Sequence, residues 1–254
     1  MNWLACYTLF RKELSRFTKV WMQTVIAPVL TALLYLIVFG HVLQGRVEVF
    51  PGVDYVSFLI PGLLMMSVIQ NAFANSASSM IQSKVMGSIV FILLPPFSEL
   101  EIFLAYIAAA IARGIAVGLG VFLLAVLYVE VPVYNLGIIL LFAVLGSFTM
   151  GALGLIAGIW AEKFDQIAAF SNFLIMPLTF LSGVFYSIKS LPPLWYQLSM
   201  WNPFFYMIDG FRYGFFGQSD QPVMQSFLIM SGFCVGITIV CMWILRSGYK
   251  LRDA

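Results

Sequence analysis

Charge is the scarcest component of this 254-residue chain: Asp, Glu, Lys and Arg make up 9% of it, against about 25% in a soluble domain. Histidine occurs once, as His41. No cysteine or carboxylate cluster accompanies it at metal-ligand spacing, so it reads as an interfacial polar residue and no metal is expected. Lysine never follows glycine, which removes the phosphate-cradling G-x-x-x-x-G-K-[ST] loop. The G-x-S-x-G elbow of serine hydrolases is also missing. Cys6, Cys234 and Cys241 give no disulfide framework, because the last two lie on one apolar run, about 10 Å apart at 1.5 Å per residue. A cleavable leader is not expected, since the charges of RKELSRFTK follow the first apolar residues. A net charge of +2 gives no electrostatic footprint for nucleic acid.

What remains is hydrophobic: 62% of residues are apolar, with a mean hydropathy of +0.99. Six apolar runs, near 21–43, 57–80, 100–128, 135–160, 167–187 and 223–246, each approach the roughly 20 residues that cross a bilayer. The pattern predicts one all-α membrane domain of six transmembrane helices. Ahead of them, Trp3, Tyr7, Phe10, Leu14, Phe17 and Trp21 recur at helical spacing, with Lys12, Arg16 and Lys19 on another face. That predicts an amphipathic helix over 1–20 lying on the membrane surface. Residues 188–222 are too polar and proline-interrupted to span, yet strongly aromatic, which predicts re-entrant helices between spans five and six. No internal repeat of the kind common in secondary transporters is apparent.

Basic residues set orientation. Arg11, Lys12, Arg16, Lys19, Lys84, Lys163, Arg246, Lys250 and Arg252 fall on one side of the predicted spans; Arg46, Lys189 and Arg212 fall on the other. Both termini are therefore expected in the cytoplasm, as six crossings also require.

Span two carries a polar stripe, Ser67, Asn71, Asn75, Ser78 and Gln82. Such a stripe lines a path for a polar or amphiphilic substrate, or makes hydrogen bonds between helices; the sequence leaves both open. Arg113 lies mid-span, where an ionised side chain costs at least about 2.5–3.5 kcal/mol, so a structural partner is expected. Ala110, Gly114 and Gly118, with Gly151, Gly154 and Gly158, are small residues suited to close helix packing. In YMIDGFRYG, Asp209 and Arg212 stand one helical turn apart. They are expected to pair as a structural pin of the re-entrant hairpin, with Phe204, Phe205, Tyr206, Phe211 and Tyr213 in an aromatic belt at headgroup depth.

The stretch PLTFLSGVFYSIKSLPPLWYQLSMWNPFFYMIDGFRYGFFG resembles the C-terminal signature of ABC-2 type transport permeases, the membrane subunits of bacterial ATP-binding cassette exporters. LIPGLLMMSVIQNAFANSASS in span two and IARG at Arg113 extend the likeness along the whole of 1–254. The resemblance implies an elbow helix, a cytoplasmic coupling helix between spans two and three, paired re-entrant helices, and a homodimer, or a heterodimer with a related permease, whose interface is the path. It implies a separate cytoplasmic ATPase that binds ATP and Mg, leaving this chain without a cofactor. The coupling segment falls at 83–94, with Lys84, Met86, Gly87, Ser88 and Phe91 as ATPase contacts. Relatives carry several charges there; this chain has only Lys84.

The expected function is thus the permease subunit of an exporter in a bacterial inner membrane, moving an amphiphilic, lipid-linked or drug-like substrate. The rival reading is an ion-coupled secondary transporter or channel working without an ATPase. It wants ionisable residues deep in several spans, and only Arg113 qualifies. The topology has a direct test. Asn2→Cys and Asp253→Cys variants should resist an impermeant thiol reagent added outside intact cells, and efficient labelling at either position would overturn the orientation.

Overall fold

The computed structural model describes residues 3–43, 49–94 and 97–250. Among them every regular element is helical, and one isolated bridge, Phe50 with Val53, closes a turn. The helices are α1 (Trp3–Thr18), α2 (Ala27–Leu43), α3 (Tyr55–Val85), α4 (Val90–Leu93), α5 (Glu99–Val126), α6 (Leu136–Trp160), α7 (Phe164–Phe170), α8 (Met176–Phe180), α9 (Pro193–Trp201), α10 (Pro203–Phe216) and α11 (Val223–Ser247). The boundaries follow from side-chain chemistry. Asp54, Ser98, Asn135 and Asn202 cap α3, α5, α6 and α10 by accepting from the first free backbone N–H groups. Gly217 and Gly248 end α10 and α11 in the left-handed region that glycine tolerates.

Among the described residues five segments are long and apolar enough to cross a membrane: Met22–Val42, Tyr55–Val85, Glu99–Val126, Leu136–Trp160 and Val223–Ser247. The fifth apolar run behaves differently from the expectation of a full-length span over 167–187. Helix occupies 164–180, in three pieces: α7, a π-helical turn (Ser171–Ile175) and α8. It stops at a turn where Gly183 has φ +75°.

The core is built around α3. Of its most apolar stretch 89% is buried, against 17–44% in the other four candidates, and it packs on α2, α5, α6, α7 and α10. The glycines expected to pack do so. A Cβ on Gly154 of α6 would fall on the Phe73 carbonyl of α3, and one on Gly118 of α5 would lie 2.7 Å from the Val68 side chain. In lipid the hydrophobic effect does not drive helices together, so such close approach is what dispersion requires.

On α1 the buried face comprises Leu9, Glu13 and Phe17, an i, i+4 stripe offset from the aromatic face read in the sequence. Trp3, Tyr7 and Trp21 of that face are exposed at 71%, 59% and 53%. The predicted aromatic belt is also corrected. Phe204, Phe205, Tyr206 and Phe211 are buried inside the bundle, because α10 lies against α3, α6 and α11. Only Tyr213 keeps partial exposure.

Gly154→Ala should lower stability by about 1–3 kcal/mol through the backbone clash. Gly232→Ala on α11, where a Cβ would meet nothing within 4 Å, should be neutral or slightly stabilising. Thermal unfolding of the two variants in detergent checks the contrast.

Candidate functional site

Three arginines from three different helices converge on α3. Arg212 of α10, 1% exposed, lies 4.0 Å over the Phe58 ring. Arg113 of α5 donates to the Asn71 side-chain oxygen at 3.1 Å. Arg16 of α1 donates to the Asn75 carbonyl (2.8 Å), the Asn75 side chain (3.1 Å) and Ser78 Oγ (3.2 Å), and also meets Glu13 at 3.3 Å. The contacts step down α3 from Phe58 to Ser78, about 30 Å at 1.5 Å per residue. A hydrogen bond to a charged group contributes about 1.5–3 kcal/mol, comparable with the insertion cost of an arginine. These bonds therefore account for why so apolar a chain keeps the arginines.

Most of the polar stripe is consumed in this way. Asn71 also donates to the Ser67 carbonyl at 3.0 Å. Gln82 is half-buried near the end of the helix, and its carbonyl accepts from the Met86 N–H. Facing α2, Ser67 and Asn71 of the stripe and the neighbouring Gln70 line a cavity of about 280 Å³ together with Gln23, Thr31 and Tyr35. Near Glu13, Tyr106 is fully buried, with the Ser79 and Ser83 hydroxyls beside it.

Asp209 and Arg212 lie one turn apart on α10, as expected, but they do not pair: the ion pairs within 4 Å among the described residues involve other groups. Each holds a different loop. Asp209 accepts from the N–H groups of Asp220 (2.7 Å) and Gln221 (3.2 Å) and from Ser226 Oγ (3.4 Å), fixing the entry to α11. Arg212 donates to the carbonyls of Gly183 (2.8 Å) and Val184 (3.4 Å), fixing the turn after α8. Asp220 extends the system by accepting from Ser187 Oγ (2.5 Å) and the Ile188 N–H (3.1 Å). Phe58 and the carbonyl-lined turn take the guanidinium that the carboxylate was expected to take.

At the opposite end of the bundle, α3 runs into the turn 86–89 and α4. Gly87 has φ +67°, and Ser88 Oγ lies 3.4 Å from the Ser83 carbonyl. Met86 and Phe91 point outward. Lys84 reaches the other way, donating to the carbonyls of Ile159 and Ala161 at 2.7 Å each, where it satisfies the free carbonyl end of α6. Lys250 closes the same end with a 2.6 Å bond to Glu162; that bond holds the Glu162 carboxyl below the usual carboxylate range. His41 Nδ1 lies 2.9 Å from the Ile37 carbonyl of its own helix, and no group of three metal-ligating side chains occurs among the described residues.

Comparison with known proteins gives this architecture a family. The ABC-2 type transporter model matches residues 5–216. The chain belongs to the ABC-2 type transporter family. An inner membrane transport permease of Escherichia coli (strain K12), YadH, is 39% identical over 253 residues, covering 100% of this chain and 99% of that protein. Nodulation protein J of Rhizobium leguminosarum bv. viciae is 22% identical, covering 96% and 90% respectively. For an ABC-2 family member of this length the bundle is a multi-pass membrane protein.

Sequence reasoning placed Arg16 on a basic face of α1 with Lys12 and Lys19 and passed over Glu13, Tyr106 and Asp220. The signal for Glu13 was present: an acid between Leu9 and Phe17 at four-residue spacing sits on the buried stripe. Asp220 had no such signal, because its partners are 32 and 33 residues away. Because Asp209 and Arg212 hold separate loops, Asp209→Ala and Arg212→Ala should each cost about 2–4 kcal/mol. Their coupling should stay below about 1 kcal/mol, where a direct buried pair would give about 3 kcal/mol. Unfolding of the two single variants and the double variant measures it.

Proposed function

We propose that this chain is the membrane-spanning subunit of an ATP-binding cassette exporter in a bacterial inner membrane, driven by a separate cytoplasmic ATPase. The observation that carries the reading is that a member of a transporter family, matched over residues 5–216, has no phosphate loop in its own sequence. The inner-membrane designation of the Escherichia coli relative supports the location. ATP and Mg belong to the partner subunit.

The remaining parts of the proposal draw their support from geometry and family together. Helix 164–180 serves as a short sixth span, its length near the lower limit of about 17 residues for a crossing. α1 is the elbow helix, 83–94 the coupling segment, and α9 with α10 the re-entrant pair within 188–222. Arg11, Lys12, Lys19, Lys84, Lys163 and Lys250 belong to elements at one end of the bundle, which supports cytoplasmic termini. ATP binding closes two ATPase subunits on two permease copies. Arg16 ties α1 to α3, so displacement of α1 carries α3 with it. The cavity between α2 and α3 opens beside a helix with little cover of its own, and there a second copy, identical or related, completes the path. Gln23, Thr31, Ser67 and Gln70 present amides and hydroxyls among apolar walls, suited to an amphiphilic, lipid-linked or drug-like substrate.

The purified chain should neither bind nor hydrolyse ATP alone, and should show both activities with the ATPase co-expressed from an adjacent reading frame. Gradient-driven uptake into liposomes by the chain alone would favour a secondary transporter and overturn the proposal.

A further inference from the structure

Resting on the ATPase-docking reading above, we infer that the 86–94 segment meets its ATPase through an apolar, uncharged contact, with Phe91 seated in a hydrophobic socket of the partner. The residues concerned are Met86, Val90, Phe91 and Leu94, exposed at 71%, 43%, 76% and 73%. They form one projecting surface because Ile89 and Ile92, at 1% and 5%, anchor the same short segment from beneath. Backbone bonds keep it rigid: Met86 N–H to Gln82 (3.0 Å), Gly87 N–H to Lys84 (3.0 Å) and Ile89 N–H to Ser83 (2.9 Å).

This surface stands in water. α3 has 31 residues, about 46 Å of helix at 1.5 Å per residue, while a hydrocarbon core is about 30 Å thick. The surplus falls at the C-terminal end, where Asn75, Ser78, Ser79, Gln82, Ser83 and Lys84 gather, and it carries the 86–94 segment beyond the lipid tails. Large apolar side chains clustered in water mark a partner site. Lys84, the one charge in the segment, is committed to the carbonyls of Ile159 and Ala161 and is not offered outward. Charge complementarity is therefore absent from this contact. The partner has to recognise it by shape and burial, with the exposed aromatic as its anchor.

The test uses the full-length chain in nanodiscs with its partner ABC ATPase, and measures affinity across salt from about 0.05 to about 1 M, where electrostatic contacts are screened. F91E should weaken binding by about 30-fold or more, as loss of a central anchor does, while F91L stays within a few-fold. The loss in F91A should differ by less than about threefold between the two ends of that range, because no ion pair crosses the 86–94 contact. An F91A loss that changes tenfold or more with salt, or binding that F91E leaves intact, would overturn the inference while leaving the ATPase-docking reading standing. An environment-sensitive probe at residue 91 that reports lipid in ATPase-free nanodiscs would overturn it too, by covering the patch with membrane. Failure of the wild type to bind the ATPase at any salt would instead remove the docking reading itself.

Discussion

The structure depends on how guanidinium groups are accommodated in a chain of which only 9% is charged. Arg212, Arg113 and Arg16 arrive from α10, α5 and α1, and all three end on α3. An unpartnered buried cation would cost several kcal/mol. Each contact therefore specifies which helix lies against α3 and at what height, information that dispersion between apolar faces does not supply. Removal of a partner strands the charge, so the contacts are worth more to uniqueness of the fold than their net energies indicate.

That arrangement divides α3 into two functional halves. Toward its N-terminus it meets α10, whose Asp209 and Arg212 hold the loops on either side of the helix; the region is a braced plug rather than an aromatic fringe. Toward its C-terminus it is tied to α1 through Arg16 and ends in the outward-facing 86–94 segment. Between the halves, the part of the polar stripe not used for bonding faces a cavity beside the thinly covered α2. Hydrogen bonding between helices, one of the two readings the sequence left open for the stripe, accounts for part of it, and another part lines the cavity. Asn75 and Ser78 bond inside the bundle; Ser67 and its neighbour Gln70 face open space, and Asn71 takes part in both.

The apolar runs, the small-residue faces of α5 and α6, the break around Pro203 and the family itself were all legible in the residues. These features are local, each written in spacing along a single helix. What was not legible depended on partners distant in sequence. Asp209 and Arg212 look like a pair because they are one turn apart, but Gly183 and Val184, nearly thirty residues away, offer the guanidinium carbonyls that sequence spacing does not reveal. Lys84 was expected to contact an ATPase because the family resemblance put it in the coupling segment, and the residues around it gave no sign that the carbonyl end of α6 lay within its reach. Arg16 was counted with the surface cations for the same reason: helical periodicity gives a face, and only packing gives what that face meets.

The central claim is that the arginine contacts are structural joints to α3. It is tested most directly by a double-mutant cycle at the mid-membrane contact, Arg113→Met with Asn71→Leu, read by thermal unfolding in lipid nanodiscs. The account predicts that each single variant is destabilised and that the double variant is no worse than the worse single, with a coupling of about 0.5–2 kcal/mol. Single variants that keep wild-type stability, show no coupling and lose only transport would contradict it and assign Arg113 to the substrate path.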